Sequence, residues 1–475
     1  MSNLIASDQK RLIIGMGQTG LSCARFLTAK GLSFDLCDSR ELLANQAAIE
    51  SEFAHCKIFN GELDAELLAQ YQELIVSPGI AIAEPAIVSA IKQGSRVRGD
   101  VDVFAEYVTK PVIGITGSNG KSTVTTLVGE ILAAGGHKPA VCGNIGIPVL
   151  DVLLNDDNYD CYVVELSSFQ LETTHHLAAE VACVLNLSED HMDRYDSMMA
   201  YHQAKHRIFQ GCRSIVTNRE DTLTQPLVSR SMPKKSFGLQ MAENPVAAKN
   251  QYSIALQNND LDVAGKHEFL MFEQQFIFPV SQLKIKGRHN QLNALAAIAL
   301  VESLPAKFSV SRDQLQQVLS TFTGLPHRCA WVAEHDSVEY FNDSKGTNVG
   351  STLAAIEGLA SDAGKNIVLI AGGVGKDQDF EPLADACQLG VKRAILFGRD
   401  ASLIADSLVS ACELNIVETL GQALVQAQKV VCAGDVVLFS PACASFDQFA
   451  NYVQRGEVFE QLIAEMTQGR KPHDG

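Results

Sequence analysis

The chain has little positive charge for its size: 38 Lys and Arg stand against 55 Asp and Glu in 475 residues, a formal net charge of −17. Nucleic acid and anionic membrane surfaces are gripped by Lys and Arg that displace counterions, so that balance excludes them as principal partners. Any anionic ligand must be met by cations placed locally. Long apolar runs are also missing. No stretch reaches the roughly 18 uninterrupted apolar residues of a membrane span, and the first residues hold no apolar segment of signal length, so the expectation is a cytoplasmic protein without a membrane span. The 12 cysteines include no C-x-x-C pair, which excludes a zinc ribbon. Cys37, Cys142, Cys161, Cys183 and Cys432 sit in apolar runs and read as buried thiols in a reducing compartment. With 46% hydrophobic and 20% charged residues, disorder beyond the ends is excluded as well.

What the chain does have is a phosphate loop. Residues 111–123, Pro-Val-Ile-Gly-Ile-Thr-Gly-Ser-Asn-Gly-Lys-Ser-Thr, run an apolar strand into a glycine turn and then into a helix beginning at Lys121. Glycines let backbone N–H groups turn inward, and the helix start adds a fixed positive end. Lys121 then reaches the outer phosphates, and Ser122 offers a hydroxyl to Mg2+. The loop is shorter than a strict Walker A, since Ile115 stands where that pattern needs glycine.

The length predicts about three domains. Residues 1–98 hold β-α-β and strand signals around Leu12–Ile14, Phe34–Asp38 and Glu73–Ser77, and predict a small parallel-sheet domain. Residues 99–324 open with the phosphate strand and continue through strand signals at 161–165, 181–186 and 214–218, followed by a polar segment, 236–285, that predicts a small antiparallel annex, and a helix over 290–303. Residues 325–475 restart the pattern with strands near 366–373, 393–398 and 435–440, a third α/β domain. The fold class is therefore α/β, with an N-terminal Rossmann-like domain, a central P-loop-like ATPase domain and a C-terminal Rossmann-like domain.

Gly15-x-Gly17-x-x-Gly20 with Asp38 at the end of the next strand satisfies a dinucleotide fingerprint. Three readings stay open there: an NAD-dependent oxidoreductase, tight packing without a ligand, and a nucleotide or nucleotide-sugar diphosphate on the helix end. Glu165 and the run Asn186–His191 fall at carboxyl ends of strands, where ligands of open sheets collect, and either could hold Mg2+; with a histidine present, zinc stays open too. His202 and His206 lack the Glu of a zinc protease motif and read as a solvated helix face; by its residues alone, Lys205 reads as a surface lysine. Leu325–Arg328 and Phe341–Asn348 are polar clusters that predict a ligand-lined cleft where the third domain begins.

Taken in order, Thr116-Gly-Ser-Asn-Gly-Lys-Ser, Glu165-Leu-Ser-Ser-Phe-Gln, Asp190-His-Met-Asp-Arg, Leu325-Pro-His-Arg, Asn342-Asp-Ser-Lys, Gly372-Gly and Ser440-Pro-Ala-Cys-Ala-Ser-Phe-Asp-Gln-Phe resemble the Mur ligases, over essentially the whole chain. Within that family the resemblance is to the type that joins D-glutamate to UDP-N-acetylmuramoyl-L-alanine. It implies ATP-dependent amide formation through an acyl phosphate, in a monomer acting on small molecules in peptidoglycan precursor synthesis. The implied catalytic residues are Lys121, Glu165, His191 and Lys205, with Ser122, Glu165, His191 and Lys205 around two Mg2+ ions and a carbamate on Lys205. ATP is implied at Gly117, Ser118, Asn119, Gly120, Lys121, Ser122, Thr123, Asn290, Asn293, Arg328 and Asp343. The UDP substrate is implied at Gly17, Gln18, Thr19, Ser39, Arg40, Ser77, Gly79 and Asn144, and D-glutamate at Lys345, Thr347, Lys376, Ser445 and Tyr452. Two positions depart from the family pattern: Val374 stands where an acidic residue is frequent, and Tyr452 where Phe is common. Other amide ligases of the superfamily, and a nucleotide-switch module without chemistry, stay open as alternatives.

Overall fold

The structure, a computed structural model, describes residues 9–43, 45–241, 249–257, 267–361 and 364–468. The first sheet holds β1 (Arg11–Ile14), β2 (Asp35–Asp38), β3 (Ile58–Asn60), β4 (Glu73–Val76) and β5 (Arg96–Arg98) in the order β3-β2-β1-β4-β5. All neighbours are parallel, so the order reverses between β1 and β4, and the crevice there opens at the carboxyl ends of both. Leu12, Ile13 and Ile14 are fully buried, as expected of a strand covered on both faces.

The central sheet comprises β6 (Val112–Thr116), β7 (Pro139–Gly143), β8 (Cys161–Glu165), β9 (Val181–Val184), β10 (Ile215–Asn218), β11 (Lys234–Phe237), β12 (Gln251–Gln257), β13 (His267–Phe272) and β14 (Gln275–Pro279). Their order is β14-β13-β12-β11-β10-β9-β6-β8-β7. The expected annex is thus not separate: β12 pairs parallel with β11, and only β12-β13-β14 run antiparallel, extending the main sheet. The continuity comes from Phe237, Tyr252 and Leu270, which join the same core as the phosphate strand. Parts of that segment, 242–248 and 258–266, lie outside the described residues. Helix Lys121–Ala134 packs Val124, Leu127, Val128 and Ile131 on this core beside helix Arg288–Val301. Each such aliphatic side chain contributes about 1.5–3 kcal/mol when fully buried.

The third sheet, β15 (Ala330–His335), β16 (Val338–Asn342), β17 (Ile367–Gly372), β18 (Val391–Phe397), β19 (Glu413–Ile416) and β20 (Val436–Phe439), has the order β15-β16-β20-β17-β18-β19. Only β15 and β16 are antiparallel. Cys432 is exposed, against the expectation of burial, because it opens the turn before β20 and its N–H donates to Asp435. Among the described residues no helix is long and apolar enough to cross a membrane.

Candidate active site

β6 runs out of the core into a loop whose glycines hold left-handed angles, Gly117 at φ 155° and Gly120 at φ 79°. A Cβ at Gly120 would stand 2.5 Å from Asn293 Oδ1, so the loop needs glycine for space as well as conformation. No side chain caps helix Lys121–Ala134, which leaves its first N–H groups for a ligand. Lys121 folds back over the loop: its Nζ donates to the carbonyls of Gly117 (2.8 Å) and Ser118 (2.9 Å). Burial pushes its ammonium below the ordinary lysine range, a desolvation cost that an anion bound beside it would offset.

Across the loop, Glu165 ends β8 and is 2% exposed. Its Oε1 accepts from Asn144 Nδ2 (2.7 Å), while Oε2 is buried with no hydrogen-bond partner among the described residues. An orphaned carboxylate oxygen beside a phosphate loop suits a cation. Ser122 lies one residue into the helix, its hydroxyl accepting from Arg328 Nη2 (2.6 Å). His191 adopts φ 59°, and burial lowers its imidazole to about 4, so the ring is neutral and able to donate a lone pair. Among the described residues no group of three His, Cys, Asp or Glu forms a metal cage. A sparse oxygen-rich set that leaves room for water and phosphate oxygens fits Mg2+; a structural zinc site asks for more protein ligands.

The surface reading of Lys205 is overturned. Helix Met198–His206 lays Tyr201, Ala204 and Lys205 against the loop, leaving Lys205 1% exposed. Its Nζ donates to Gly117 O at 2.8 Å and lies 4.7 Å from the Tyr201 ring centroid. Burial, and then Lys121, drive this amine far below its ordinary range. His202 and His206 are not a solvated face either: their rings stack at 3.9 Å and both are half-buried, with His206 Nε2 2.8 Å from the Leu223 carbonyl oxygen.

Lys121, Glu165, His191 and Lys205 line one chamber of about 330 Å3 with Lys345, Thr347, Lys376, Ser445 and Tyr452 from the third domain. Lys345 Nζ lies 4.0 Å from the Tyr452 ring centroid. Lys376 is ion-paired with Asp190 at 2.6 Å, across the domain boundary. Burial alone would raise the Asp190 carboxyl; Lys376 and His191 overcome it and hold it at about 2. Asn348 and Asn119 exchange amide hydrogen bonds (3.2 and 3.3 Å), so the third domain closes directly onto the loop. Val374, one of the two departures, forms a short bridge to Ala444 through backbone hydrogen bonds.

Beside the chamber, a pocket of about 160 Å3 gathers Gly120, Thr123, Asn290, Asn293, Arg328 and Asp343. Both oxygens of Asp343 are already engaged, by the Cys329 N–H (3.0 Å) and the Ser440 hydroxyl (2.7 Å), so this carboxylate also braces the start of the third domain. Asn186, which opens the strand-end run noted in the sequence, lines the same pocket, as do Asn218, Phe237 and His289, which were not foreseen. Asn218 closes β10, so the strand-end rule that singled out Glu165 and Asn186 would have found it too.

On the other side, a cleft of about 440 Å3 brings together Gly17, Gln18, Thr19, Ser39, Arg40, Ser77, Gly79 and Asn144, joined by Gln170 and Pro148, which the sequence did not single out. The three glycines differ in purpose. Gly15 makes the turn at φ 99°, a Cβ on Gly20 would lie 1.8 Å from the Gly15 carbonyl oxygen, and Gly17 has open space where a ligand could approach. Asp38 lines the cleft too, with both oxygens already engaged: they accept from the Met16 N–H (2.6 Å) and from Arg40 Nε (2.7 Å) and Nη2 (2.8 Å). Burial works against that carboxylate, and the Arg40 guanidinium and the two backbone donors prevail, keeping it below its usual range. Asn144 borders this cleft and the phosphate chamber alike, so the two lie side by side.

Comparison with known proteins matches all three parts of the chain to one family. The Mur ligase MurD-like N-terminal domain matches residues 9–99, the Mur ligase middle domain residues 115–301 and the Mur ligase glutamate ligase domain residues 327–443. UDP-N-acetylmuramoylalanine--D-glutamate ligase of Pseudomonas syringae pv. tomato is 48% identical over 461 residues, 97% of this chain and 99% of that protein. The protein of the same name from Pseudomonas aeruginosa is 46% identical over 98% of this chain and 100% of its own. Among solved structures, MurF ligase from Thermotoga maritima in complex with ADP shares the fold with a TM-score of 0.58 at 15% identity, covering 98% of this chain and 100% of its own. UDP-N-acetylmuramate-alanine ligase MurC from Thermotoga maritima does so with a TM-score of 0.56 at 20% identity, over 96% and 100%. Three consecutive family domains and relatives alike over nearly the full length place the identity beyond the fold: the chain belongs to the Mur ligase family.

Proposed function

We propose that this protein is an ATP-dependent ligase that joins D-glutamate to the alanine carboxylate of UDP-N-acetylmuramoyl-L-alanine in peptidoglycan precursor synthesis. The observation that carries the reading is the adjacency at Asn144: the first-domain cleft and the phosphate chamber share this residue, so a substrate anchored by its nucleotide in the cleft is placed to reach the chamber with its far carboxylate. The helix start at Lys121 holds the triphosphate, and Asn290, Asn293 and Arg328 face its nucleoside end. The alanine carboxylate oxygen bonds to the γ-phosphorus as the bond to ADP breaks, giving an acyl phosphate. The D-glutamate amine then bonds to the carbonyl carbon, and inorganic phosphate leaves.

Most of the protein's work is positioning and charge neutralisation. Mg2+ held by Ser122, Glu165 and His191 supplies further neutralisation of phosphate charge when bound. Burial lowers the Lys205 ammonium and so favours the neutral amine, the form that reacts with carbon dioxide; the carbamate would turn this side chain into an oxygen donor in the chamber. Lys345, Thr347, Lys376, Ser445 and Tyr452 receive D-glutamate; two lysines suit two carboxylates. Lys376 can take one only by sharing or leaving Asp190.

Phosphate release with UDP-N-acetylmuramoyl-L-alanine and a panel of amino acids tests the assignment. Turnover should need D-glutamate, and equal turnover without it defeats the reading. A pH dependence follows as well. Burial, then Arg328, lower the Lys345 ammonium to about 8. The cation is present below that value and lost above it, so D-glutamate affinity should fall as pH rises through about 8. In Lys345→Met, calorimetric titration should show weaker binding with that pH step gone.

A further inference from the structure

Arg194 belongs to the Asp190-His-Met-Asp-Arg run, yet the chemistry above leaves it without a role. Its N–H donates to the His191 carbonyl (2.9 Å), so both residues sit on one turn. The guanidinium leaves that turn for the first domain, where Nη1 donates to the Pro78 carbonyl (3.1 Å) and Nη2 to the Ile80 carbonyl (3.3 Å). Nη2 also pairs with Glu172 Oε2 at 2.9 Å, with the two side chains 15% and 12% exposed. The guanidinium carbon lies 4.2 Å from the Phe169 ring centroid; that ring also meets His191, centroid to centroid at 4.7 Å, and stacks on Tyr195 at 6.0 Å. The gripped carbonyls flank Gly79 and follow Ser77, on the wall of the nucleotide cleft.

We infer that Arg194 is a positioning residue that fastens the first-domain turn 77–80 to the His191 turn, fixing the distance between the nucleotide cleft and the phosphate chamber. A planar guanidinium reaches two carbonyls and a carboxylate from separate nitrogens held in one plane, whereas a lysine ammonium must reach all its acceptors from a single nitrogen. Glu172 neutralises it, and Phe169 holds its plane. This rests on the proposed UDP substrate, whose reach from cleft to chamber is what the clamp sets.

The test uses the full chain and UDP as probe. In Arg194→Ala, the dissociation constant for UDP and the KM for UDP-N-acetylmuramoyl-L-alanine should rise about 10-fold or more, with the KM for ATP within about 2-fold of wild type. Arg194→Lys should recover part of the loss, and Glu172→Gln, which leaves both carbonyl contacts, should cost less than either. A merely structural role would lower kcat in step with the folded fraction and move no single KM. A folded Arg194→Ala or Arg194→Lys chain with unchanged UDP affinity, or one in which UDP and ATP weaken together, overturns the inference. Failure of the wild-type chain to bind UDP overturns the substrate reading as well, which keeps the two apart.

Discussion

Lys121→Ala abolishes turnover: kcat for phosphate release falls about 10³-fold or more, the size of effect seen when a preorganised charge on a transferring phosphoryl group is removed. The free protein holds that cation at a cost, since burial already pushes it toward neutrality and its Nζ has only loop carbonyls to bond. The melting temperature of Lys121→Ala should therefore stay level or rise while activity vanishes, as when a site is strained for function. A variant that loses activity and stability in parallel would show instead that Lys121 merely ties the loop together. Differential scanning calorimetry alongside a phosphate-release assay separates the two.

Lys205→Ala loses about 10²- to 10³-fold in kcat, with partial recovery on adding small carboxylates. Two lysines share the Gly117 carbonyl, Lys121 and Lys205, each with Nζ at 2.8 Å. If both acted as cations, the second would weaken the first by repulsion, and Lys205 is the one driven further down. An anionic carbamate at that place, as proposed, would resolve the conflict and would add an oxygen donor beside Glu165. Lys205→Arg, which keeps a cation and cannot form the same carbamate, should be as inactive as Lys205→Ala. Wild-type turnover in either variant, or recovery of Lys205→Ala by added amines and not by carboxylates, rejects the carbamate.

The phosphate loop was legible in the sequence because its determinants are local: an apolar strand, glycines at fixed offsets and a helix start within thirteen residues. Glu165 was legible for a related reason, since strand ends collect ligands. Lys205 was not, because its burial comes from Tyr201 and Ala204 packing onto a loop more than eighty residues earlier, which helix periodicity does not encode. The same holds for Lys376, whose partner Asp190 lies in another domain. The β15-β16 hairpin went unread because its turn uses Asp336 and Ser337, both at positive φ, in place of the Asn-Gly or Asp-Gly pair that normally marks such a turn. Asp38 looked like a ribose ligand from spacing alone; its capture by Arg40, two residues on, needed coordinates.

Isotope transfer tests the central claim most directly. With 18O placed in the alanine carboxylate of the UDP substrate, the account predicts one labelled oxygen in the released inorganic phosphate, because that oxygen bonds to the γ-phosphorus before the amine displaces it. Phosphate released without label, in a reaction that still forms the amide, would contradict it.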